Sequence, residues 1–499
     1  MGTSQNYPNL AGTGRFHQEP QEELESYFSN RTYDLDHCIS PDGGSPGIRF
    51  SDQPYEQHCV LGPSAAIVSN PFYNSSTASL SSNGSSNSQP DCLSDTNNSV
   101  SQIPDAFNQF SPESVLPRGI IETVRRKDLR ELLITCAKAV AENNQLMREY
   151  LMSELRSMVS VTGEPLQRLG AYMLEGLVAR LAQSGSSIYK ALRCKEPTST
   201  ELLSYMHLLY EVCPYFKFGY LSANGAIAEA MKNENWIHIV DFQIAQGAQW
   251  MTLIQALASR PGGPPHVHIT GIDDSASAYA RGGGLEIVGQ RLSRLAESCG
   301  VPFEFHGLAI SGRDVESKHL DLRPEEALAV NFALTLHHVP DESVSTQNHR
   351  DRILRMVKSL SPKVVTLVEQ ESNTNTAPFL PRFIETMNYY LAIFESIDVA
   401  LPRDHKERVN VEQHCLAREI VNIIACEGQE RVERHELLGK WKLRFAMAKF
   451  AQAPLSSFVN MTIKNLLKSY NGNYRLQEND GCLFLGWMDK DLVSSCAWI

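Results

Sequence analysis

Lysine is missing from the first 118 residues of this 499-residue chain, which carry four arginines against thirteen aspartates and glutamates, a balance of −9. The remaining residues hold 41 basic and 44 acidic side chains, so most of the net charge of −12 sits in the N-terminal quarter. A nearly neutral remainder excludes nucleic-acid binding driven by overall charge and leaves only a local basic patch. Paired cysteines are missing too. The eleven cysteines are odd in number and scattered, with no C-x-x-C spacing. That argues against a disulfide framework or a zinc module of that type and points to a reducing compartment. No apolar run approaches ~20 residues, so no membrane span is expected. Met1–Pro20 lacks the apolar stretch of a secretory signal. Neither G-x-S-x-G, G-x-x-x-x-G-K-[ST] nor H-E-x-x-H occurs, and with them go the nucleophile elbow, the phosphate loop and the zinc-protease helix. The expectation is a soluble intracellular protein, and its 42% apolar content is enough for a large core.

Residues 1–118 read as a disordered, acidic, Ser/Asn-rich region. In Pro71–Val100, fifteen of thirty residues are Ser or Asn, a composition that buries too little apolar surface to offset the entropy of ordering. Two islands interrupt it, Glu22–Phe28 and Ser45–Phe50, where acids or turn residues stand beside aromatics. They read either as short segments that fold on a partner or as scattered apolars in a solvated tail.

Order is expected from about Ile120. Arg125, Arg126, Lys127 and Arg130 form a basic cluster, read as a nuclear import signal or as a solvated helix start. Leu129, Leu132, Leu133, Cys136, Ala137 and Val140 then share one helical face. Helical runs follow at Leu146–Val159, Leu166–Leu181 and Ile188–Leu192, at a segment opened by Thr198-Ser199-Thr200-Glu201 with capping-box spacing, and at Phe218–Met231. Residues 119–233 therefore read as a mainly helical cap.

From residue 234 onward strands alternate with helices. Ile237–Asp241 is an apolar, β-branched run ending on an acid, as a strand covered on both faces reads. A turn containing Gly247 and an amphipathic run through Trp250, Leu253, Ile254 and Leu257 follow. The next strand, Val267–Gly271, ends in Asp273 and Asp274. Further strands are expected at Phe303–Leu308, Leu328–Leu336 and Val364–Val368, with a helix at Arg352–Leu360. Helices at Pro381–Ile397, Val411–Cys426, Glu430–Arg434, His435–Phe450 and Ser456–Tyr470 precede β-rich sequence at the C-terminus. There Tyr474–Gln477, Cys482–Trp487 and Leu492–Trp498 read as β-rich runs, the last two spaced for a hairpin, with Trp487 and Trp498 reading as core. The expected fold is α/β and Rossmann-like, of the class I methyltransferase type: a mostly parallel sheet with an N-terminal helical cap and a C-terminal antiparallel hairpin.

Methyl transfer on such a fold needs a sulfonium cofactor over a Gly-x-Gly turn, because only glycine leaves room there. Here the turn is Phe242-Gln243-Ile244-Ala245-Gln246-Gly247, with Ile244 and Gln246 where small residues are wanted. Asp241, Gln246, Gly247 and Asp273 thus read as a vestigial pocket, with no cofactor, no metal and no catalytic residue expected. Arg281-Gly282-Gly283-Gly284 does not follow directly on a strand, so it reads as a connection. His337-His338 has no partner at metal-ligand spacing and reads as a strand-end segment. Glu369 and Glu371 share a strand face by period alone.

Five ordered motifs carry a resemblance to the GRAS family of plant regulatory proteins over about residues 120–499. Leu132–Val140 resembles the first leucine-rich region, and Ile237-His238-Ile239-Val240-Asp241 the V-H-I-I-D motif. Trp250–Leu295 is similar to the second leucine-rich region. Pro378-Phe379 through Arg382-Phe383 to Arg434 resembles the P-F-Y-R-E region, and Ser495-Cys496-Ala497-Trp498 stands where the family has S-A-W. Glu369–Pro381 is similar to the phytochrome A signal-transduction branch. No D-E-L-L-A segment occurs, which argues against a gibberellin-receptor-binding role. The resemblance implies that residues 119–499 form a GRAS domain. It implies a transcriptional regulator or coregulator in plant signalling, in the nucleus and also in the cytoplasm. Its implied partners are DNA-binding transcription factors and other GRAS proteins, with homo- or heterodimers and direct promoter DNA as further options. The alternative is an S-adenosylmethionine-dependent small-molecule methyltransferase. If DNA is bound between cap and sheet, Arg403, Lys406 and Arg408 in one loop, and Lys440, Lys442 and Arg444 in another, are the candidate phosphate contacts; ordinary surface charge is the competing reading.

Overall fold

Runs of β-branched and apolar residues, too short for helices and with no polar alternation, can be satisfied only inside a sheet covered on both faces. Five strands pair in parallel, β1 (Trp236–Asp241), β2 (His266–Ile272), β3 (Phe303–Leu308), β4 (Ala327–Ala333) and β5 (Val364–Gln370); such runs dominate β1, β4 and β5, whereas β3, F-E-F-H-G-L, alternates and is half-exposed at the sheet edge. In the computed structural model of the chain, which describes residues 118–183, 195–274 and 284–499, they stand in the order β3-β2-β1-β4-β5. This is the doubly wound arrangement, with the order reversing beside β1. All described residues belong to the unit Leu61–Ile499. The readings made for residues 1–117, for the Ile188–Leu192 helix and for Arg281 to Gly283 lie outside the described residues.

The sheet continues through β9 (Lys490–Trp498), β8 (Cys482–Trp487) and β7 (Tyr474–Asn479), each antiparallel to its neighbour, with β9 antiparallel to β5. The two-residue strand β6 (Gln452–Ala453) pairs with β9 as well. The expected hairpin is therefore part of a three-stranded meander. Its first turn is Asp480-Gly481, both with positive φ, 49° and 67°, as the twist of a two-residue hairpin turn requires.

One face of the sheet is covered by α6 (Tyr215–Ala230), which packs on β5 and β9 and against α14 (Ser457–Leu467). The other is covered by α9 (His349–Ser359) and α13 (Leu438–Met447), whose Ile353, Leu354, Val357, Leu438, Trp441 and Phe445 join Val330, Phe332, Val365, Leu367 and Trp498 in one cluster. Trp498 stacks on Phe445 with ring centroids 4.6 Å apart. Trp487 is likewise buried, edge-on to Tyr474. Between β1 and β2 runs α7 (Ala248–Ala258), and between β2 and β3 runs α8 (Gly284–Ser298).

The helices that precede β1 start with α1 (Arg118–Arg126) and α2 (Leu129–Ala141), followed by α3 (Gln145–Met158), α4 (Pro165–Leu181) and α5 (Ser199–Val212). The leucine face of α2 is buried, and Asp128 caps it by accepting from Glu131 N at 3.0 Å. On α5, Thr198 and Glu201 form the reciprocal capping box. The helical layer is not made by this segment alone. Helix α4 packs on α10 (Phe379–Asp398) and α12 (Ala417–Ala425), which come after β5. Before α12, the helix α11 (Lys406–Val411) passes through a π turn at Glu412–Leu416, which interrupts the single helix expected over Val411–Cys426.

Residues 431–437 differ more. The charge-rich sequence reads as helix, yet after a short 3-10 turn at Gly428–Glu430 the chain is extended until α13. Arg431, Arg434, His435 and Glu436 are buried here. A solvated helix face would leave these charges in water, whereas the extended loop delivers them to partners inside the protein.

Helix α6 reaches the sheet closely because Gly219 has no side chain. A Cβ there would lie 2.6 Å from Val368 Cγ1, and valine has little rotamer freedom with which to yield. Gly219→Ala should therefore lower stability by about 1–3 kcal/mol, although alanine is the better helix former. The denaturant midpoint of the variant against wild type measures it.

Candidate functional site

In a doubly wound sheet a ligand sits at the carboxyl ends of the strands, where the strand order reverses. That place is the end of β1, and its leading group is Asp241, 2% exposed. Trp250 Nε1 donates to its Oδ2 at 2.7 Å, while Asn331 Nδ2 at 3.1 Å and Gln243 N at 3.2 Å donate to its Oδ1. The register places Asn331 of β4 directly beside Asp241, and Thr366 of β5 beside Asn331. Thr366 Oγ1 donates to Asn331 Oδ1 at 2.8 Å. Gln249 Oε1 accepts from Asn331 Nδ2 at 3.1 Å, and Gln249 Nε2 donates to Asn224 Oδ1 on α6 at 3.1 Å. The polar groups of three strands and two helices are thus joined in one internal circuit. Burial pushes the Asp241 carboxyl up to about 6, against the pull of its donors.

The turn itself is filled. Ile244 is 3% exposed and lies over β2, where a Cβ on Gly271 would be 3.0 Å from Ile244 Cγ1. Gly247 caps α7 with φ +73°, and a Cβ there would meet Val288 at 3.0 Å and Leu292 at 3.3 Å. The Gln246 carbonyl accepts from Arg291 Nη1 at 3.2 Å. Asp273 is 5% exposed, and its N–H donates to Leu308 O. The four pocket residues read from the sequence do converge on one strand-end region. Its carboxylate is spent on the chain's own donors.

A second strand-end cluster lies at β4 and β5, and the sequence reading passed over most of it. Glu369 Oε1 accepts from the backbone N–H groups of Thr335, Leu336 and His337 at 3.2, 2.8 and 3.3 Å, and its Oε2 faces His337 Nδ1 at 2.6 Å. Burial works against charge on His337, yet the carboxylates of Glu369 and Glu433 outweigh it and hold the ring up to about 10. Glu371 is not paired with Glu369. It caps α13 by accepting from Leu438 N at 3.1 Å, and burial pushes it up to about 7. Arg350 donates to Val339 O, Arg434 O and His337 O at 2.7, 2.8 and 3.1 Å, tying loop 431–437 to the turn after β4. No local signal marks this cluster: in Arg431-Val432-Glu433-Arg434-His435-Glu436 like charges recur at i and i+3, which reads as helix.

The six basic candidates do not form a phosphate-binding surface. Arg408 is fully buried on α11, where it pairs with Glu412 one turn away and donates to Val161 O at 3.1 Å. Glu412 is shared with the buried Arg168, whose Nε lies 3.0 Å from it. Arg403 is bound between Asp398 and Glu164, and Lys406 is exposed. The second group stands on helix α13, not in a loop. Arg444, 5% exposed, lies 2.7 Å from Glu436, 2.9 Å from Asp351 and 3.2 Å from Asp341. Lys440 pairs with Glu436 and Lys442 with Asp480, each at 2.6 Å. Arg408 and Arg444 are therefore corrected from nucleic-acid candidates to internal ion-pair residues. A guanidinium enclosed by carboxylates has no face left for a phosphate.

Comparison with known proteins follows these features. The profile of the GRAS domain family matches residues 129–499. The Scarecrow-like transcription factor PAT1 of Arabidopsis thaliana is 69% identical over 396 residues, covering 79% of this chain and 81% of that protein. Chitin-inducible gibberellin-responsive protein 2 of Oryza sativa subsp. japonica is 70% identical over 375 residues, 75% of this chain and 69% of that protein. Among solved structures, the crystal structure of SCL7 in Oryza sativa is 35% identical with a TM-score of 0.67, covering 74% of this chain and 99% of that one.

Asp241→Asn presents one acceptor oxygen to three donors, so stability at pH 7 should fall by about 1–2 kcal/mol. Because the folded carboxyl titrates at about 6, above its ordinary value, the wild type carries a proton-linked contribution that is complete below about pH 4. That contribution is lost as the pH rises through about 6. The variant lacks it, so thermal melts should show the gap between the two widening on acidification from pH 7. Arg408→Ala should cost about 3–5 kcal/mol, since it strips one of two arginines from a buried glutamate. Chemical denaturation measures the loss.

Proposed function

The chain belongs to the GRAS family of plant transcriptional regulators, and we propose that it acts as a nuclear coregulator through protein contacts, without chemistry at its strand ends. One observation carries this reading. The Asp241 carboxylate, where a methyl-transferring relative of this fold would meet its cofactor, is taken by Trp250, Asn331 and Gln243, with Ile244 filling the turn. A fold that has closed its ligand crevice with its own side chains has only its outer surface to work with.

That surface offers a place for a partner. Leu443 and Met447 stand one turn apart on α13 and are 65% and 69% exposed, with Leu437 just before the helix at 41%. Apolar side chains held in the open at i and i+4 suit a partner helix or strand, which would remove them from water. The partners on this reading are DNA-binding transcription factors and other members of the family, with self-association as a variant of the same contact. Arg125, Arg126, Lys127 and Arg130 are all exposed, which supports nuclear import. The 69% identity to PAT1 supports a place in phytochrome signalling. Pairing of five of the six candidate cations with acids argues against a direct grip on promoter DNA.

Two titrations of the full chain test the reading. Calorimetry with S-adenosylmethionine should give no binding heat at ligand concentrations up to about 1 mM; micromolar binding would return the methyltransferase reading. Anisotropy with duplex DNA across a salt series should show no steep dependence. A slope of ~0.9 per phosphate contact, summed over several contacts, would mean that the chain binds DNA by itself.

A further inference from the structure

His337 and His338 are neighbours at the end of β4, and the ligands they lack locally arrive from almost a hundred residues away. Loop 431–437 brings Glu433 and His435 against them. His337 Nε2 lies 3.4 Å from Glu433 Oε2, His338 Nε2 lies 3.3 Å from Glu433 Oε1, and His435 Nε2 lies 3.6 Å from Glu433 Oε2. One donor atom from each of His337, Glu433 and His435 falls within a 4.8 Å group. The rings crowd together, with His337 centroids 4.4 Å from His435 and 4.0 Å from His338. In a tetrahedral zinc site with bonds of about 2.0–2.2 Å, neighbouring donor atoms are about 3.4 Å apart. The separations of His337 and His435 from Glu433 Oε2 are close to that value, while His338 meets the other oxygen and stands outside the group.

Two further features suit a metal site. The far nitrogens of two rings are already held: His337 Nδ1 against Glu369 Oε2 at 2.6 Å, and His435 Nδ1 against Thr374 Oγ1 at 3.0 Å. Such partners fix which ring nitrogen faces the ion. Second, Glu433 Oε2 and His435 Nε2 are both buried and complete no hydrogen bond, a costly state for two groups that point at one another. His338, with 34% of its side chain exposed, supplies the opening to solvent.

We propose that His337, Glu433 and His435 form a zinc site, completed by a water, that staples loop 431–437 to the turn after β4. Both rings bind as the neutral imidazole through Nε2 and Glu433 binds as carboxylate. Because the ligands must be deprotonated, binding weakens as the pH falls. Nitrogen and oxygen donors in this number favour zinc over magnesium or calcium, which take more oxygens.

The test uses the full chain after removal of adventitious metal by a chelator. Zinc titrated against a chromophoric competitor should bind in one equivalent, and cobalt in its place should give the intense visible bands of a four-coordinate ion. Glu433→Gln keeps the side chain's shape and leaves the buried His337–Glu369 pair intact, so it should fold, as circular dichroism will show, and lose at least ~10-fold in zinc affinity. The proposal is overturned by a wild type that loses to the competitor at every zinc concentration, by a pale six-coordinate cobalt spectrum, or by unchanged affinity in Glu433→Gln. That last result would move the ion to another cluster, such as His238, His268 and Glu326 at the opposite end of the sheet.

Discussion

A carboxylate taken out of water must be given donors, and the carboxyl ends of these parallel strands are built around two that are. Asp241 ends β1 and Glu369 lies near the end of β5, both almost fully buried. In an open α/β sheet the groups at these positions face a crevice and are met by ligand or solvent. Here each is met by the chain. Asp241 takes the indole N–H of Trp250 and the amide of Asn331, and Glu369 takes three successive N–H groups and an imidazole. Much of the surrounding structure follows. Trp250 must turn back over the strand end, which fixes the start of α7, and the turn between is closed by Gly247 in a left-handed conformation. The turn after β4 is held by the donors that Glu369 needs.

The cap and the loop are joined to the sheet by the same physics with the sign reversed. Arg168 on α4 and Arg408 on α11 share Glu412, which the π turn places between them. Arg444 gathers Glu436, Asp351 and Asp341. Buried ion groups of this kind add little net stability over apolar residues of the same volume, but removing one partner is expensive. They set geometry. Arg168 links α4 to α10 through Asp398 and Phe394 O, so helices that are about 230 residues apart in the chain are locked in one register.

What the sequence alone makes legible follows from how local its causes are. The strand at Ile237–Asp241 is legible because a β-branched run with no polar alternation has one solution. The capping box of Thr198 and Glu201 is legible because its two bonds span three residues. Asp241, Gln246, Gly247 and Asp273 could be placed together because the doubly wound topology brings strand ends together whatever the side chains. Arg408 and Arg444 could not be told from Lys406 on charge alone. Each has one near partner, Glu412 for Arg408 and Glu436 for Arg444, but the contacts that enclose them come from across the fold, 247 residues away at Val161 and 103 at Asp341, and burial is decided by packing. The helix expected at Glu430–Arg434 fails for the same reason. Its arginines reach Thr374 and Asn375 from a backbone that is not helical, bonds that a helix would not offer. The meander is legible in its three strands, since runs at Tyr474–Gln477, Cys482–Trp487 and Leu492–Trp498 fall on β7, β8 and β9, while the pairing of β7 through the Asp480-Gly481 turn is not read from the sequence.

A ligand stabilises only the state that binds it, whereas groups that belong to the chain are present in every folded molecule. Trp250 donates to Asp241, Gln249 and Asn224 carry the remaining polar groups back into α6, and Ile244 fills the volume over β2. These groups are covalently part of the chain, so their entropy cost is met once, on folding. The form of this strand end is therefore set by the fold itself.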